Sequence, residues 1–171
     1  MAFLSTGLVS CQNNQLTGDE IAFLNQKVDS MYKLDQSKRH ELRRLDSVYF
    51  PERFKQSSMI MFSEKKQLLG EGFKKYKDDF DSINRVINAI DRTNTRALLD
   101  LTAEYGFPSK ERLKVKKAKA YFILVHADRD FFDEIRTVIN QEFKQERISE
   151  YERAYIFWHL DGRKGMMPSS D

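Results

Sequence analysis

Cysteine occurs once in this chain, at position 11, and a lone thiol can close no intrachain disulfide. None is required. A chain of 171 residues buries roughly 70% of its unfolded surface on folding, which supports a core without a disulfide or metal staple. Proline appears three times and glycine seven, too seldom to punctuate many short strands, so long helices are favoured. No apolar run approaches the roughly 18 residues that a membrane-spanning helix needs. An excess of one charge is also missing: 29 Lys and Arg face 26 Asp and Glu, a net charge of +3. The two signs alternate, as in "KKYKDDFD" from Lys74 to Asp81, which is the pattern of a solvated helix face. The densest basic run, Lys110, Arg112, Lys114, Lys116, Lys117 and Lys119, holds one acidic residue, Glu111. It would suit phosphate, but no recognition motif accompanies it, so nucleic acid is not expected as a partner. Gly-x-Ser-x-Gly, P-loop, Cys-x-x-Cys and His-Glu-x-x-His patterns are all missing, and neither a cofactor nor a metal is expected.

What is present is helical periodicity. Thr17-Gly18-Asp19-Glu20 fits a capping box, a hydroxyl followed three residues later by a carboxylate. Ile21, Leu24, Val28 and Met31 then share one helix face, and the pattern runs to about Val48 before Pro51 disfavours helix at Phe50. Residues 52–70 read ambiguously as a short helix or a buried connection. From Phe73 the chain is helical again, with Ile83, Val86, Ile87 and Ile90 facing a core. Asp91 to Asn94 reads as a break, followed by a helix over 95–105 that stops at Gly106 and Pro108. Further helices are expected over 111–126, from Asp130 to Phe143, and from a second capping box at Ser149-Glu150-Tyr151-Glu152 to Asp161-Gly162. The fold class is therefore all-α, a single-domain antiparallel array of about six helices over 17–165, followed by a tail over 166–171.

Residues 1–16 read differently. A short apolar run ends in Leu8-Val9-Ser10-Cys11, and a polar tether follows. This is the form of a bacterial lipoprotein signal, with Cys11 as the acylated residue. It places the mature protein on the periplasm-facing side of a membrane or on the cell surface, touching the membrane only through the lipid. No Lys or Arg precedes the apolar run, as a secretory signal should have. The cytoplasm is the alternative.

Two histidines share a local frame, His126-Ala127-Asp128 and His159-Leu160-Asp161, both at expected helix C-termini. The helix dipole favours a protonated imidazole there, and a carboxylate two residues on can fix its tautomer. Arg163, in the glycine-flanked segment after Trp158 and His159, offers a planar fork for a carboxylate or phosphate. The competing explanation is plain: Asp128 or Asp130 simply caps the following helix.

The order of motifs resembles a bacterial domain-of-unknown-function family, the one numbered six-six-two-four. Asp35-Gln36-Ser37-Lys38-Arg39 matches its Asp-Gln-x-x-Arg segment. Asn94 through Tyr105-Gly106-Phe107-Pro108 matches its helix ending in Tyr-Gly-aromatic-Pro. Leu124-Val125-His126-Ala127-Asp128 matches its Gln-His-Ala-Asp end, with Val125 in place of the glutamine. His159-Leu160-Asp161-Gly162-Arg163 stands near its Leu-Asp-Arg close, while the family's Tyr-Gly-Thr-Gln tail is missing. The likeness spans about Val28 to Lys164, with residues 50–75 as an apparent insertion. It implies that Asp35, Gln36, Arg39, His126 and Asp128 belong together, and it brings no activity with it.

Two expectations follow. The first is an anchored binding or interaction domain that holds a small anionic ligand or a partner protein, using Gln36, Arg39, His159 and Arg163. The second is a hydrolase-like or metal-dependent enzyme built on His126, Asp128 and Asp35. An open convergence of Asp35, Arg39 and His126 would favour a site; a closed buried network would be structural.

Overall fold

Two helices of more than thirty residues form the spine of the molecule. The computed structural model describes residues 15–55 and 60–169, and the Cys11 segment lies outside them. Helix α1 is Gly18–Tyr49, 32 residues, and α4 is Phe73–Tyr105, 33 residues. Between them lie α2, Pro51–Lys55, and α3, Phe62–Leu69, which a 3-10 turn at Gly70–Gly72 joins to α4. Beyond α4 come the one-turn helices α5, Lys110–Leu113, and α6, Ala120–Leu124, then α7, Phe132–Lys144, and α8, Glu150–Leu160. No strand occurs among the described residues, and the all-α expectation holds.

The ends of α1 and α8 follow from local chemistry. Thr17 and Ser149 each accept from the backbone N–H of the glutamate three residues on, Glu20 and Glu152, whose carboxylates accept in turn from the cap N–H groups. Helix α1 stops at Phe50, and Pro51 occupies the first position of α2, where a missing N–H costs nothing.

α1 and α4 are antiparallel. Met31 is bonded to Asn94, Arg39 to Asp91 and Asp46 to Tyr76, so positions rise on one helix as they fall on the other. The buried face of α1 runs Leu24, Val28, Met31, Asp35, which is the i, i+4, i+7, i+11 stripe of a helix. Its fourth member is a carboxylate. The facing stripe of α4 is polar at the same height: Ile87, Asp91, Asn94, Thr95, Leu98. The apolar interior is completed by Leu99 of α4, Phe107, Leu124 of α6, Ile135 and Ile139 of α7, and Ile156 of α8.

Two expectations are corrected. The break at 91–94 does not exist, because α4 passes through it unbroken. Asp91 and Asn94 do not cap a helix; they point inward, Asp91 to Arg39 and Asn94 Nδ2 to the Met31 carbonyl at 3.1 Å. The single helix expected over 111–126 is two short ones. Lys114 takes a left-handed conformation, φ 55°, which ends α5, and the chain resumes helix only at Ala120.

Gly106 turns the chain out of α4 at φ +76°. A Cβ there would stand 2.7 Å from Arg147 Nε and 2.8 Å from Arg112 Nη1. Those guanidinium groups belong to a buried knot. Arg147 forks onto Glu142 at 2.8 and 2.5 Å, Glu142 also accepts from the Phe107 N–H at 2.6 Å, and Arg112 donates to the carbonyls of Tyr105 and Phe107. Glycine is needed on both counts, conformation and space.

Candidate functional site

Asp35 is 3% exposed, and every bond it makes is accounted for by donors. Its Oδ1 accepts from Arg39 Nε at 2.9 Å, one turn along α1, and faces His126 Nδ1 at 3.1 Å. Its Oδ2 accepts from Gln36 Nε2 at 2.6 Å. Arg39 reaches across to α4, where its Nη2 donates to both oxygens of Asp91 at 2.7 and 2.8 Å. One guanidinium thus bridges two carboxylates on two helices, and an imidazole from the end of α6 closes the group. Of the sequence-expected set, Asp35, Gln36, Arg39 and His126 meet, while Asp128 bonds to the Asp130 N–H and Arg92 instead.

The two carboxyls titrate in opposite directions although they share Arg39. Burial raises Asp35, but the hydrogen bond and charge of His126, with the charge of Arg39, outweigh it and hold the carboxyl at about 2. Asp91 has Arg39 alone in contact; burial dominates there, aided by the Asp35 charge, and the carboxyl is pushed up. The His126 hydrogen bond, which Asp35 receives and Asp91 does not, accounts for the difference.

His126 joins this closed group to an open one. Its ring, with Asp91, lines a depression of about 580 Å³ that is also bounded by Asn88, Asp128, Asp130 and Phe132. An imidazole whose Nδ1 faces an ionised carboxylate carries its hydrogen there, and in the neutral ring Nε2 is left as an acceptor. The lining is mixed, with acceptors on Asp91, Asp128, Asp130 and that nitrogen and the guanidinium of Arg129 as a donor.

The pairing expected inside each His-x-Asp frame is not made. Asp128 caps the turn at Arg129–Phe131 through the Asp130 N–H and lies 2.9 Å from Arg92; both hold its carboxyl below the usual range. His126 takes its carboxylate from α1 instead. His159 Nδ1 is bonded to the Tyr155 carbonyl at 3.1 Å, and Asp161 accepts from Arg136 at 2.6 Å. Burial depresses the His159 pKa, as do the nearby charges of Arg163 and His126. Arg163 sits exposed in a left-handed turn, φ 61°. Among the described residues, neither His159 nor Arg163 bonds to the Asp35 group.

Among the described residues, ligand-capable atoms of Asp35, Asp91 and His126 lie within 4.8 Å of one another, the spacing of a three-ligand cation site. Arg39 already bonds to both carboxylates of that set. The cluster thus carries its own cation, and a metal would have to displace the guanidinium.

Comparison with family models, curated proteins and solved structures finds no match in any of the three. The chemistry of the site is consequently argued from this chain's own residues.

Sequence reasoning missed Asp91, Asn88 and Phe132. Asp91 was legible in one respect: with Ile87, Thr95 and Leu98 it falls on the core face of a helix, once the helix is taken as unbroken. Nothing local marks Asn88 or Phe132, since each becomes relevant only when α4 meets the start of α7.

Proposed function

We propose that this chain is a helical ligand-binding domain, tethered to the outer face of a bacterial membrane through Cys11, whose ligand seats in the depression beside His126 and Asp91. The observation that carries the reading is the 3.1 Å contact between His126 Nδ1 and Asp35. It orients the ring and leaves its other nitrogen to the open side. The family resemblance is part of the proposal, because its motifs supply Asp35, Gln36, Arg39 and His126.

The geometry favours a different ligand from the anion anticipated above. Arg39 is committed to two carboxylates, and the depression presents Asp91, Asp128, Asp130 and an imidazole acceptor against the one guanidinium of Arg129. A ligand rich in hydrogen-bond donors, an amine or a polyol, matches such a lining. The test is a thermal-shift screen of amines, amino sugars and polyols beside organic acids and phosphates. A ligand at a hundredfold its Kd stabilises by about 2.7 kcal/mol, a readily measured rise in Tm. Donor-rich compounds should raise the Tm of the native chain and fail with His126→Gln and Asp91→Asn. A response confined to anions would overturn the ligand assignment.

A second reading has its own support. Two carboxyls pushed in opposite directions around an oriented imidazole form the pattern of acid–base catalysis. In that reading His126 Nε2 accepts a proton from water or substrate, Asp35 stabilises the imidazolium, and Asp91 is the acid. Turnover in a panel of ester, glycoside and phosphate substrates, lost in His126→Gln, would establish it. The tether is tested separately: intact-mass measurement of chain extracted from membranes should show cleavage before Cys11 and acyl chains upon it.

A further inference from the structure

The run of basic residues that found no role above lies at one end of the fold. Between α1 and the loop over 114–119 is a recess of about 360 Å³, floored by Val28, Leu113 and Val115 and rimmed by Lys116, Lys117 and Lys119. Asn25 Nδ2 donates to the Leu113 carbonyl at 3.3 Å and Lys119 pairs with Asp29 at 2.5 Å, so the loop is fastened to the first turns of α1. Lys114, Lys116 and Lys117 are exposed, and none of the three is ion-paired among the described residues. Arg92, Arg96 and Arg136, by contrast, each have carboxylate partners.

We propose that this end of the domain docks on an anionic phospholipid surface, the three free lysines reaching the headgroup phosphates around the apolar-floored recess. The inference rests in part on the tether reading, which supplies its geometry. Four Cα–Cα steps separate Cys11 from Gln15, at most about 14 Å of extended chain. From Gly18 to Asn25 is seven helical steps, roughly 10 Å. With up to about 10 Å more from Gln15 to Gly18, a lipid on Cys11 therefore keeps the lysine loop within roughly 35 Å of the membrane plane, a tether short enough to let the loop come down to the headgroups. There each lysine adds to attraction for anionic headgroups, and its alkyl stem can lie along the apolar floor.

The test uses the full chain with Cys11→Ser, so that no acyl group contributes, and vesicles of phosphatidylcholine alone or with roughly one-third phosphatidylglycerol. The chain should co-sediment with the anionic vesicles only, and the binding should fall steeply with added salt. Replacing Lys114, Lys116 and Lys117 together with serine should weaken binding roughly a hundredfold, about fivefold per lysine. These positions are exposed, and an unchanged melting curve would confirm that the triple variant folds. Equal binding by the triple variant, no binding to anionic vesicles, or a stronger preference for duplex DNA at matched ionic strength would each overturn the proposal. Intact mass keeps the two readings apart: an unacylated native chain removes the tether, while the vesicle result, obtained without an acyl group, stands or falls by itself.

Discussion

Replacing Asp35 with asparagine preserves the shape of the side chain and removes the charge that organises the site. In the folded chain the Asp35 carboxyl ionises at about 2, against an ordinary value of 3.8. Burial opposes that shift, while His126 and Arg39 overcome it. A native pKa below the unfolded one means that the native state binds fewer protons across the interval. The charge therefore stabilises the fold fully above pH 3.8, and the contribution is lost as pH falls toward 2. Converted to free energy, the difference is about 2 kcal/mol at neutral pH. With a urea slope of about 2 kcal/mol per molar, Asp35→Asn should lower the unfolding midpoint by about 1 M at pH 7. The gap between variant and parent should close between pH 4 and pH 2. Urea titrations followed by circular dichroism across that range measure both. Equal midpoints at pH 7, or a gap that stays constant down to pH 2, would refute the argument that Asp35 is held ionised by His126 and Arg39. Asp91→Asn is the internal control with the opposite sign. Burial pushes that carboxyl up, so ionised Asp91 costs stability above its native pKa, and the cost is relieved as pH falls. Asp91→Asn should leave the midpoint at pH 7 unchanged or raise it, where Asp35→Asn lowers it.

Three further outcomes are expected. Gly106→Ala forces a Cβ onto Arg147 and Arg112 and strains a positive φ; about 3 kcal/mol should be lost, a Tm drop of roughly 6–12 °C by calorimetry. Tyr76→Phe removes the hydroxyl that stands 2.7 Å from Lys65 Nζ and 2.8 Å from Asp46, and should cost about 1–2 kcal/mol in urea unfolding. Thr95 is fully buried, and its hydroxyl has no partner among the described residues; Thr95→Val should therefore raise Tm, by roughly 2–4 °C.

The fold was legible wherever one local rule sufficed. Both capping boxes, the Pro51 stop and the Gly106 stop depend on residues within four positions of each other, and all four stand as expected. The misreadings came where tertiary contacts override a local signal. Asp91-Arg92-Thr93-Asn94 is rich in residues that favour helix ends, yet Asp91 and Asn94 find their partners on α1, fifty or more residues away, and the helix continues. The same limit applied to the site. Motif order brought Asp35, Arg39 and His126 together, but the partner of His126 could not be read from spacing. The adjacent Asp128 is drawn off by Arg92, and the carboxylate that faces the ring lies 91 residues away.

The α1–α4 pair explains why these polar groups lie inside at all. Two long antiparallel helices with simple apolar stripes could slide by a turn at little cost, since leucine against isoleucine packs much like leucine against valine. Polar layers forbid the slip. Asp46 with Lys65 and Tyr76 fixes one end of the interface, Arg39 between Asp35 and Asp91 fixes the middle, and Asn94 on the Met31 carbonyl fixes the next turn. A one-turn shift would strand buried charges, at several kcal/mol each. The layers differ in one respect that bears on function. Lys65 is boxed in by Asp46 and the rings of Phe50, Tyr76 and Phe80, and is closed on every side so described. The middle layer has the same registering bonds but opens through His126 and Asp91 onto a depression. A purely structural layer would have no use for that opening. The prediction that separates the two roles is conservative: His126→Gln leaves the Arg39 bridge intact, so it should preserve most of the stability while abolishing ligand binding. Loss of the fold without any ligand effect in the parent chain would reduce the middle layer to a register lock like its neighbour.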